Sequence, residues 1–491
     1  MGVPATRQVY RASFIPLREL ATRAFSRAAG APLVPGNKLT LLKDATETYP
    51  AWLQTIAGAR RTIHFESYII HDDEAGQKFA EALTQKAHEG VRVRVIYDWM
   101  GALGHASRAF WKRLAAAGVE VRCFNPPRID SPLGWLRRDH RKMLCVDGQF
   151  GFVTGLCVGQ RWVGNPTKGL APWRDTGVAI EGPAIADLEM AFGQMWALLG
   201  PPISDAELAE IPTPAGDVAV RIVASYPNMA GLYRFDQLIS ALAQRSIWIS
   251  YAYFLATAPY VKALTAAAMD GVDVRLLLPN ASDAPIVRSL SRAGYRELLE
   301  AGVRIFEWDG PMMHAKTAVA DGRWARVGST NLNLASWLGN WELDVVAEDE
   351  TFAQKLESMY LDDLRHSTEI VMSSKKVVPV EPQLRRWYSR RPATGSARRA
   401  FTSAMRVGNT LGAAITSRRA LGPSEMSVMA WAAALLLTLA AVAIQWPMAV
   451  IVPLVVFSVW VAISLLIRAY RLYRARRAEG KQSDVKPEEV P

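Results

Sequence analysis

The chain has 491 residues, half of them hydrophobic and 21% charged, with a formal net charge of +11 at pH 7 and a pI of about 9.6. This excludes a disordered or low-complexity chain, and the length allows two or three domains, each burying its own core. Three cysteines, Cys123, Cys145 and Cys157, with no CxxC spacing exclude a disulfide framework and a structural zinc site. The positive balance points to an anionic partner, nucleic acid or an anionic membrane face, and charge alone does not choose between them.

Residues 1–37 read as a basic extension. No apolar run of secretory length opens the chain, so no signal peptide is expected. Leu17, Leu20, Ala21, Ala24 and Ala28 form an apolar stripe among Arg18, Arg23 and Arg27. Such a stripe suits a membrane surface or a helix packed on the main body, and both readings stand open.

From 38 to 372 the sequence repeats itself. "RRTIHFESYII" (60–70) returns as "RSIWISYAYFL" (245–255), and "HEGVRVRVIYD" (88–98) as "MDGVDVRLLLP" (269–279). "RLAAAGVEVRCF" (113–124) returns as "ELLEAGVRIFEW" (297–308), and "WRDTGVAIEG" (173–182) as "NWELDVVAED" (340–349). Short β-branched runs such as "VRVRVIY" read as buried strands. Helical patterns between them close at Gly90 and Gly271. Each unit is expected to run β, helix, β, helix, β and then a β-hairpin. The fold class is therefore α/β, as two duplicated halves, 38–200 and 217–372, related by a pseudo-twofold.

The hairpin stretches carry the chemistry. "DHRKMLCVDGQFGFVTGLCVG" (139–159) contains His140, Lys142 and Asp147; "MHAKTAVADGRWARVGSTNLN" (313–333) contains His314, Lys316 and Asp321 at the same spacing. Residues i and i+2 of a strand share a face, so each imidazole projects with its lysine. Asp147-Gly148 and Asp321-Gly322 have turn chemistry, and the aspartates are turn formers or direct participants. A neutral imidazole attacks phosphorus, and a protonated one donates to the leaving alcohol. Lysines hold charge on the phosphoryl oxygens. No metal or other cofactor is called for. The expected reaction is a two-step exchange on a phosphodiester. Tyr68, Asp98, Tyr251 and Tyr253 fall at strand ends, where pocket lining and core packing are equally good explanations.

The paired HxKxxxxD motifs, the second followed by "GSTN" (328–331), resemble the phospholipase D superfamily over about 38–372. "HFESYII", "GVRVRVIYD", "WRDTGVAIEGPA" and "AGVRIFEW" narrow the resemblance to bacterial cardiolipin synthases. The resemblance implies a carboxylate from each half orienting the imidazole of the other: Glu342 on His140, and Asp175 on His314. It implies phosphate-holding roles for Ser329, Asn331 and Asn340. In the first copy the ending is Thr154, Gly155, Leu156, Cys157, so cysteine stands where the family carries asparagine. It also implies that His140 attacks, that His314 is the acid and base, and that a phosphatidyltransferase is at work on an anionic phospholipid such as phosphatidylglycerol. A phospholipase D hydrolase, a nuclease and a silent lipid-binding scaffold are the alternatives, and no nucleic-acid partner is expected.

Residues 373–426 read as a basic linker containing "RRWYSRRP" (385–392). From Ser427 to Ile467 there is no charged residue, about twice the ~20 residues of one bilayer crossing. A helical hairpin is expected, with spans at 427–445 and 448–467 around "QWP" (445–447). Arginines flank it on both sides, including Arg418, Arg419, Arg468 and Arg471. The catalytic body and both termini are therefore expected in the cytoplasm, at a bacterial inner membrane, with 468–491 as a cytoplasmic tail.

Overall fold

The computed structural model describes residues 17–379 apart from 129–136, 166, 168, 205–206, 209–210, 256, 282–290, 293, 334–335, 337–338 and 374–375, together with 447–482 and scattered positions from 434 to 446. In the first half the strands are β1 (Val34–Lys43), β2 (Thr62–Ser67), β3 (Arg92–Asp98), β4 (Glu120–Phe124), β5 (Arg138–Asp139), β6 (Lys142–Val146), β7 (Phe150–Thr154) and β8 (Thr176–Glu181). Across the sheet they run β4-β3-β2-β6-β7-β8-β1, with β2, β3 and β4 parallel and the remaining pairs antiparallel. The second half has β9 (Val218–Ser225), β10 (Ser246–Ser250), β11 (Asp273–Pro279), β12 (Arg304–Trp308), β13 (Thr317–Ala320), β14 (Trp324–Gly328), β15 (Asn340–Glu348) and β16 (Ser367–Ser373). Its order, β12-β11-β10-β13-β14-β15-β9, repeats the first, and β16 extends it beyond β12.

Each half has more strand than the sequence pattern predicts. β8 and β15 cover the outer edge of each hairpin, which would otherwise present an unpaired ladder. β1 and β9 lie beyond them and pair with each other, joining the sheets. Val153, Val178, Ala325, Val327, Leu343 and Val345 belong to one buried apolar cluster, so the halves share a core. That shared core holds two remote stretches of chain in one register.

Local chemistry explains the elements. The helix Glu74–His88 starts at Asp73, whose side chain accepts from the Gly76 amide at 3.1 Å. It buries Phe79 and Leu83 and ends before Gly90, at φ +88, where a side chain would be strained. The two hairpin turns have both central residues in the left-handed region: Asp147 at φ 55 with Gly148 at 64, and Asp321 at 53 with Gly322 at 64. That is the type I′ signature, whose twist matches the flanking strands.

These turns decide between the two readings of the aspartates. The Asp147 carboxylate accepts from the amides of Arg60, Arg61 and Thr62 at 2.7–2.9 Å. Asp321 accepts from Gln244, Arg245 and Ser246 at 2.8–3.2 Å. Each lies five residues beyond its motif lysine, roughly 16 Å along an extended strand. Of the two readings of Asp147 and Asp321, these contacts describe the turn former: each ties its hairpin turn to the start of β2 or β10.

The helix Leu17–Ala29 packs against Gly231–Leu242, with the rings of Phe25 and Phe235 at 5.1 Å and Ala29 buried. Of the two readings of the leading segment, the packed helix describes these residues; 1–16 lie outside the described ones. At the other end, helix Pro447–Gln482 begins after Trp446, at the expected "QWP" break. Among the described residues no helix is long and apolar enough to cross a membrane. Residues 380–433, and so most of the linker and much of the first expected span, lie outside the described residues, as does 483–491 of the tail.

Candidate active site

Each motif histidine follows a short strand borrowed by the opposite half. β5 pairs in parallel with the start of β15, and the His140 amide donates to the Trp341 carbonyl at 2.8 Å. In the mirrored arrangement Met313 bridges Arg174, and the His314 amide donates to the Arg174 carbonyl at 2.7 Å. One residue further, each partner strand supplies a carboxylate. Glu342 Oε2 lies 2.8 Å from His140 Nδ1, and Asp175 Oδ2 lies 2.6 Å from His314 Nδ1. Each histidine is 3% exposed, and all four of these groups are buried. A carboxylate on Nδ1 fixes the tautomer that leaves Nε2 for chemistry.

The lysines complete the pattern. Lys142 Nζ donates to the carbonyl of His140, and Lys316 Nζ to that of His314. Lys316 Nζ also lies 2.9 Å and 3.1 Å from the two His314 ring nitrogens. Burial and the charge of Lys316 push His314 down to about 4. Burial likewise lowers Lys316 to about 7, against the attraction of Asp175. Burial works against the Asp175 charge, but His314 and Lys316 outweigh it and hold the carboxyl below its ordinary range. The governing direction is a neutral His314 between an ionised Asp175 and a cationic neighbourhood. Burial pushes Glu342 up to about 8, opposed by Lys142.

Ser329 and Asn340 direct their polar groups at Glu342. Ser329 Oγ donates to Oε2 at 2.6 Å and accepts from the Leu343 amide at 2.9 Å; Asn340 Nδ2 donates to Oε1 at 3.2 Å. Asn331 is buried, and its side-chain oxygen has no hydrogen-bond partner among the described residues. At the matching position Cys157 is buried in the first-half core, and burial pushes its thiol up, against a nucleophilic role.

Sequence reasoning missed the aromatic walls and the buried salt bridge. Trp162 and Trp173 lie 5.8 Å and 5.5 Å from the His314 ring, and the Trp162 indole donates to Asp175 Oδ2 at 3.3 Å. Arg174 binds both oxygens of Asp363 at 2.8 Å and reaches Asp44 at 3.2 Å. This ties the strand that carries Asp175 to the helix Glu350–Leu364 of the other half. The only signal was the adjacency of Trp173 and Arg174 to Asp175. Of the four strand-end residues, Tyr68 faces His140 at 5.0 Å, and Tyr253 clusters with Met312 and Trp173. Tyr251 is core, bonded to Asp236 and Arg326. Asp98 caps the turn after β3 and pairs with Arg138 at 2.9 Å, so it positions β5.

A family profile described as "Cardiolipin synthase, PLD-like domain" matches residues 52–196 and 237–364. A cardiolipin synthase of Geobacillus kaustophilus (strain HTA426) is 34% identical over 382 residues, covering 75% of this chain and 74% of that protein. Cardiolipin synthase A of Pseudomonas fluorescens (strain SBW25) is 34% identical over 358 residues, covering 71% and 73%. The crystal structure of phosphatidylserine synthase from Haemophilus influenzae Rd KW20 superposes with a TM-score of 0.58 at 15% identity, covering 72% of this chain and 91% of that one, a likeness of fold.

Proposed function

The chain belongs to the cardiolipin synthase family and is a phosphatidyltransferase of that type, and we propose that it joins two molecules of phosphatidylglycerol through a covalent phosphohistidine. The observation that carries this is the crossed pair of buried imidazoles, each with a carboxylate from the opposite half on Nδ1. In the first step Nε2 of His140 attacks the donor phosphorus. The bond from phosphorus to the glycerol oxygen breaks, and His314, having taken up a proton as the anionic donor binds, gives that proton to the oxygen. In the second step His314 takes the proton from the hydroxyl of the acceptor lipid. The acceptor oxygen bonds to phosphorus and the bond to nitrogen breaks, giving cardiolipin. Lys142 and Lys316 neutralise the phosphoryl oxygens. Ser329 and Asn340 act through Glu342, and Asn331 offers its amide to the phosphate. One observation favours exchanging the histidines: the neutral ring of His314 is ready to attack, and trapping the adduct distinguishes the two assignments.

The incubation of membranes carrying the protein with labelled phosphatidylglycerol tests the reading. Cardiolipin and free glycerol are expected, and both disappear with His140→Ala or His314→Ala. Phosphatidic acid as the sole product replaces this reading with a hydrolase, and DNA cleavage without lipid turnover with a nuclease.

We further propose a multi-pass bacterial inner-membrane protein with the catalytic body and both termini in the cytoplasm. Support comes from helix Pro447–Gln482, where Leu454, Val456, Leu465 and Leu466 are all exposed in the isolated chain, a surface that demands an apolar cover. Arginines on both sides of the uncharged run set the orientation. Reporters fused near Met1 and after Pro491 are expected to read cytoplasmic together; opposite readings remove the hairpin.

A further inference from the structure

Cardiolipin formation needs a second substrate that is itself an anion. The phosphatidylglycerol that attacks the phosphohistidine carries its own phosphate, three carbons from the attacking hydroxyl. A site that binds this phosphate distinguishes the lipid from water and from free glycerol, which have none. We propose that Arg161, stacked on Trp173 beside His314, binds the phosphate of the acceptor lipid. The proposal rests on the functional reading above.

The arginines around the site divide into two kinds. Arg174 is bound to Asp363 and Asp44, and Arg138 to Asp98. Arg141 is buried on the carbonyls of Ala191, Ser225 and Glu342. Arg161 is half-buried and has no carboxylate partner among the described residues; its guanidinium lies over the Trp173 ring at 5.7 Å. The Trp173 amide donates to the Arg161 carbonyl at 3.1 Å, which fixes the two residues to each other. A guanidinium on an indole face is held in place without losing its charge, and its fork matches phosphate oxygens.

The spacing fits the chemistry. Trp173 is 5.5 Å from the His314 ring and Arg161 is 5.7 Å from Trp173, so the guanidinium carbon is at most 5.5 plus 5.7, or 11.2 Å, from the imidazole centre. In an extended glycerol headgroup the phosphorus lies roughly 6 Å from the terminal hydroxyl oxygen by standard bond lengths. Adding a hydrogen bond of ~3 Å at the imidazole and a phosphate–guanidinium approach of ~4 Å gives a reach of ~13 Å. One headgroup is therefore long enough to reach from the imidazole to Arg161.

The surroundings suit a lipid. Val163 and Leu170 are 37% and 52% exposed on the loop after Arg161, which reciprocal bonds between Asn165 and Leu170 close. Leu103, 50% exposed, lies on a neighbouring loop. That loop is tied in by the His105–His71 stack at 4.2 Å and by the His71 amide on the Val158 carbonyl at 3.0 Å. By the motif alignment Arg161 matches Ala335, and Trp173 matches Asn340. At the positions matching the pair, the second half therefore has neither an arginine nor a tryptophan.

The test supplies the full-length protein in phosphatidylglycerol vesicles with an excess of labelled free glycerol. Both products, cardiolipin and glycerol-exchanged phosphatidylglycerol, draw on the same phosphohistidine, so their ratio cancels any general loss of activity. Arg161→Gln is expected to lower the ratio of cardiolipin to exchange product about tenfold, the scale of one charge-assisted contact. Arg161→Lys, which keeps the charge but loses the fork and the stack, is expected to fall between Arg161→Gln and the wild type, and Trp173→Leu to lower the ratio. A ratio within twofold of wild type in Arg161→Gln, whatever the total activity, overturns the subsite. If Arg161→Gln fails to fold, Trp173→Leu decides by the same ratio, a value within twofold of wild type again overturning the subsite. If the wild type exchanges glycerol but makes no cardiolipin, the functional reading itself fails, an outcome visible before any variant is made.

Discussion

The two halves share one strand order, yet they surround their histidines differently. His140 meets the longer carboxylate, Glu342, which Ser329 and Asn340 hold, and Tyr68 covers the ring. His314 meets the shorter Asp175, which the Trp162 indole and the Thr176 amide hold, with Trp162 and Trp173 against the ring. Gly155 is the hinge of the difference. It occupies the position of Ser329, and a Cβ there would stand 2.2 Å from Asp175 Oδ1. The charge states follow the packing: Asp175 is held below its ordinary range and Glu342 is raised to about 8. Duplication sets the crossed pairing of each imidazole with a carboxylate of the opposite half, and the local filling makes the two pairs unequal. The proposed stepwise exchange needs one ring to attack while the other carries a proton, and unequal surroundings would serve that division.

The sharpest way to break this comparison is to delete each ring. His140→Ala and His314→Ala are each expected to lower cardiolipin formation by about ten-thousand-fold, because the two act as a unit. The covalent adduct separates them: the variant lacking the nucleophile forms none, whereas the other retains the capacity to form one. Mass spectrometry of the quenched protein gives the assignment, and an adduct on neither ring in the wild type removes the covalent route. The carboxylates come next. Asp175→Asn is expected to cost about a thousand-fold in kcat, since it removes a charge that is present throughout the neutral range. Glu342→Gln mimics the protonated form that burial favours, so a loss nearer a hundred-fold is expected at pH 7. Wild-type Glu342 gains its charge only as pH rises through about 8, so the deficit of Glu342→Gln is expected to widen across that interval. Equal and pH-independent losses in the two variants would show that the halves are electrostatically alike.

The duplicated α/β architecture was legible because each half repeats the same short apolar runs, and a repeat confirms its own reading. The motif spacing placed His140 with Lys142 and His314 with Lys316, although the histidines lie just before β6 and β13 rather than in them, and each lysine reaches its histidine through the carbonyl. The crossed carboxylates followed from the resemblance; in isolation nothing in "WRD" or "NWE" says which imidazole they face. β1 and β9 were missed, since "VPGNKLTLLK" has a weak alternation and an internal glycine. The contact of Trp162 and Trp173 with His314 and the Arg174–Asp363 tie were illegible for a physical reason: they join residues far apart in sequence, with no periodic signature. The aspartates show the opposite error. A complete motif invites a chemical role for every letter, and the geometry of a type I′ turn assigns Asp147 and Asp321 to structure.

A smaller effect is expected from forcing the first half toward the second. Gly155→Ser copies Ser329, but its Cβ must displace the Asp175 carboxylate. A loss of about ten- to a hundred-fold in kcat is expected, reached through misplacement of a group that orients His314. The reverse change, Ser329→Gly, creates no clash and is expected to cost less. If Gly155→Ser retains full activity, the packing explanation of the inequality falls.

The turns offer the mildest and cleanest contrast, because there the halves are the same. Asp147→Ala and Asp321→Ala each release three backbone amides from a partly exposed carboxylate. By analogy with the loss of a helix cap, each is expected to cost about 1–2 kcal/mol of stability. The amides regain water as partners, which keeps the cost at the low end. The cost is expected to be similar in the two halves, read as a lowered Tm in detergent. The kcat per folded molecule is expected to stay near wild type, since each carboxylate sits a full strand away from its imidazole. A fall in kcat with Tm unchanged would reverse the assignment and return both aspartates to the chemistry.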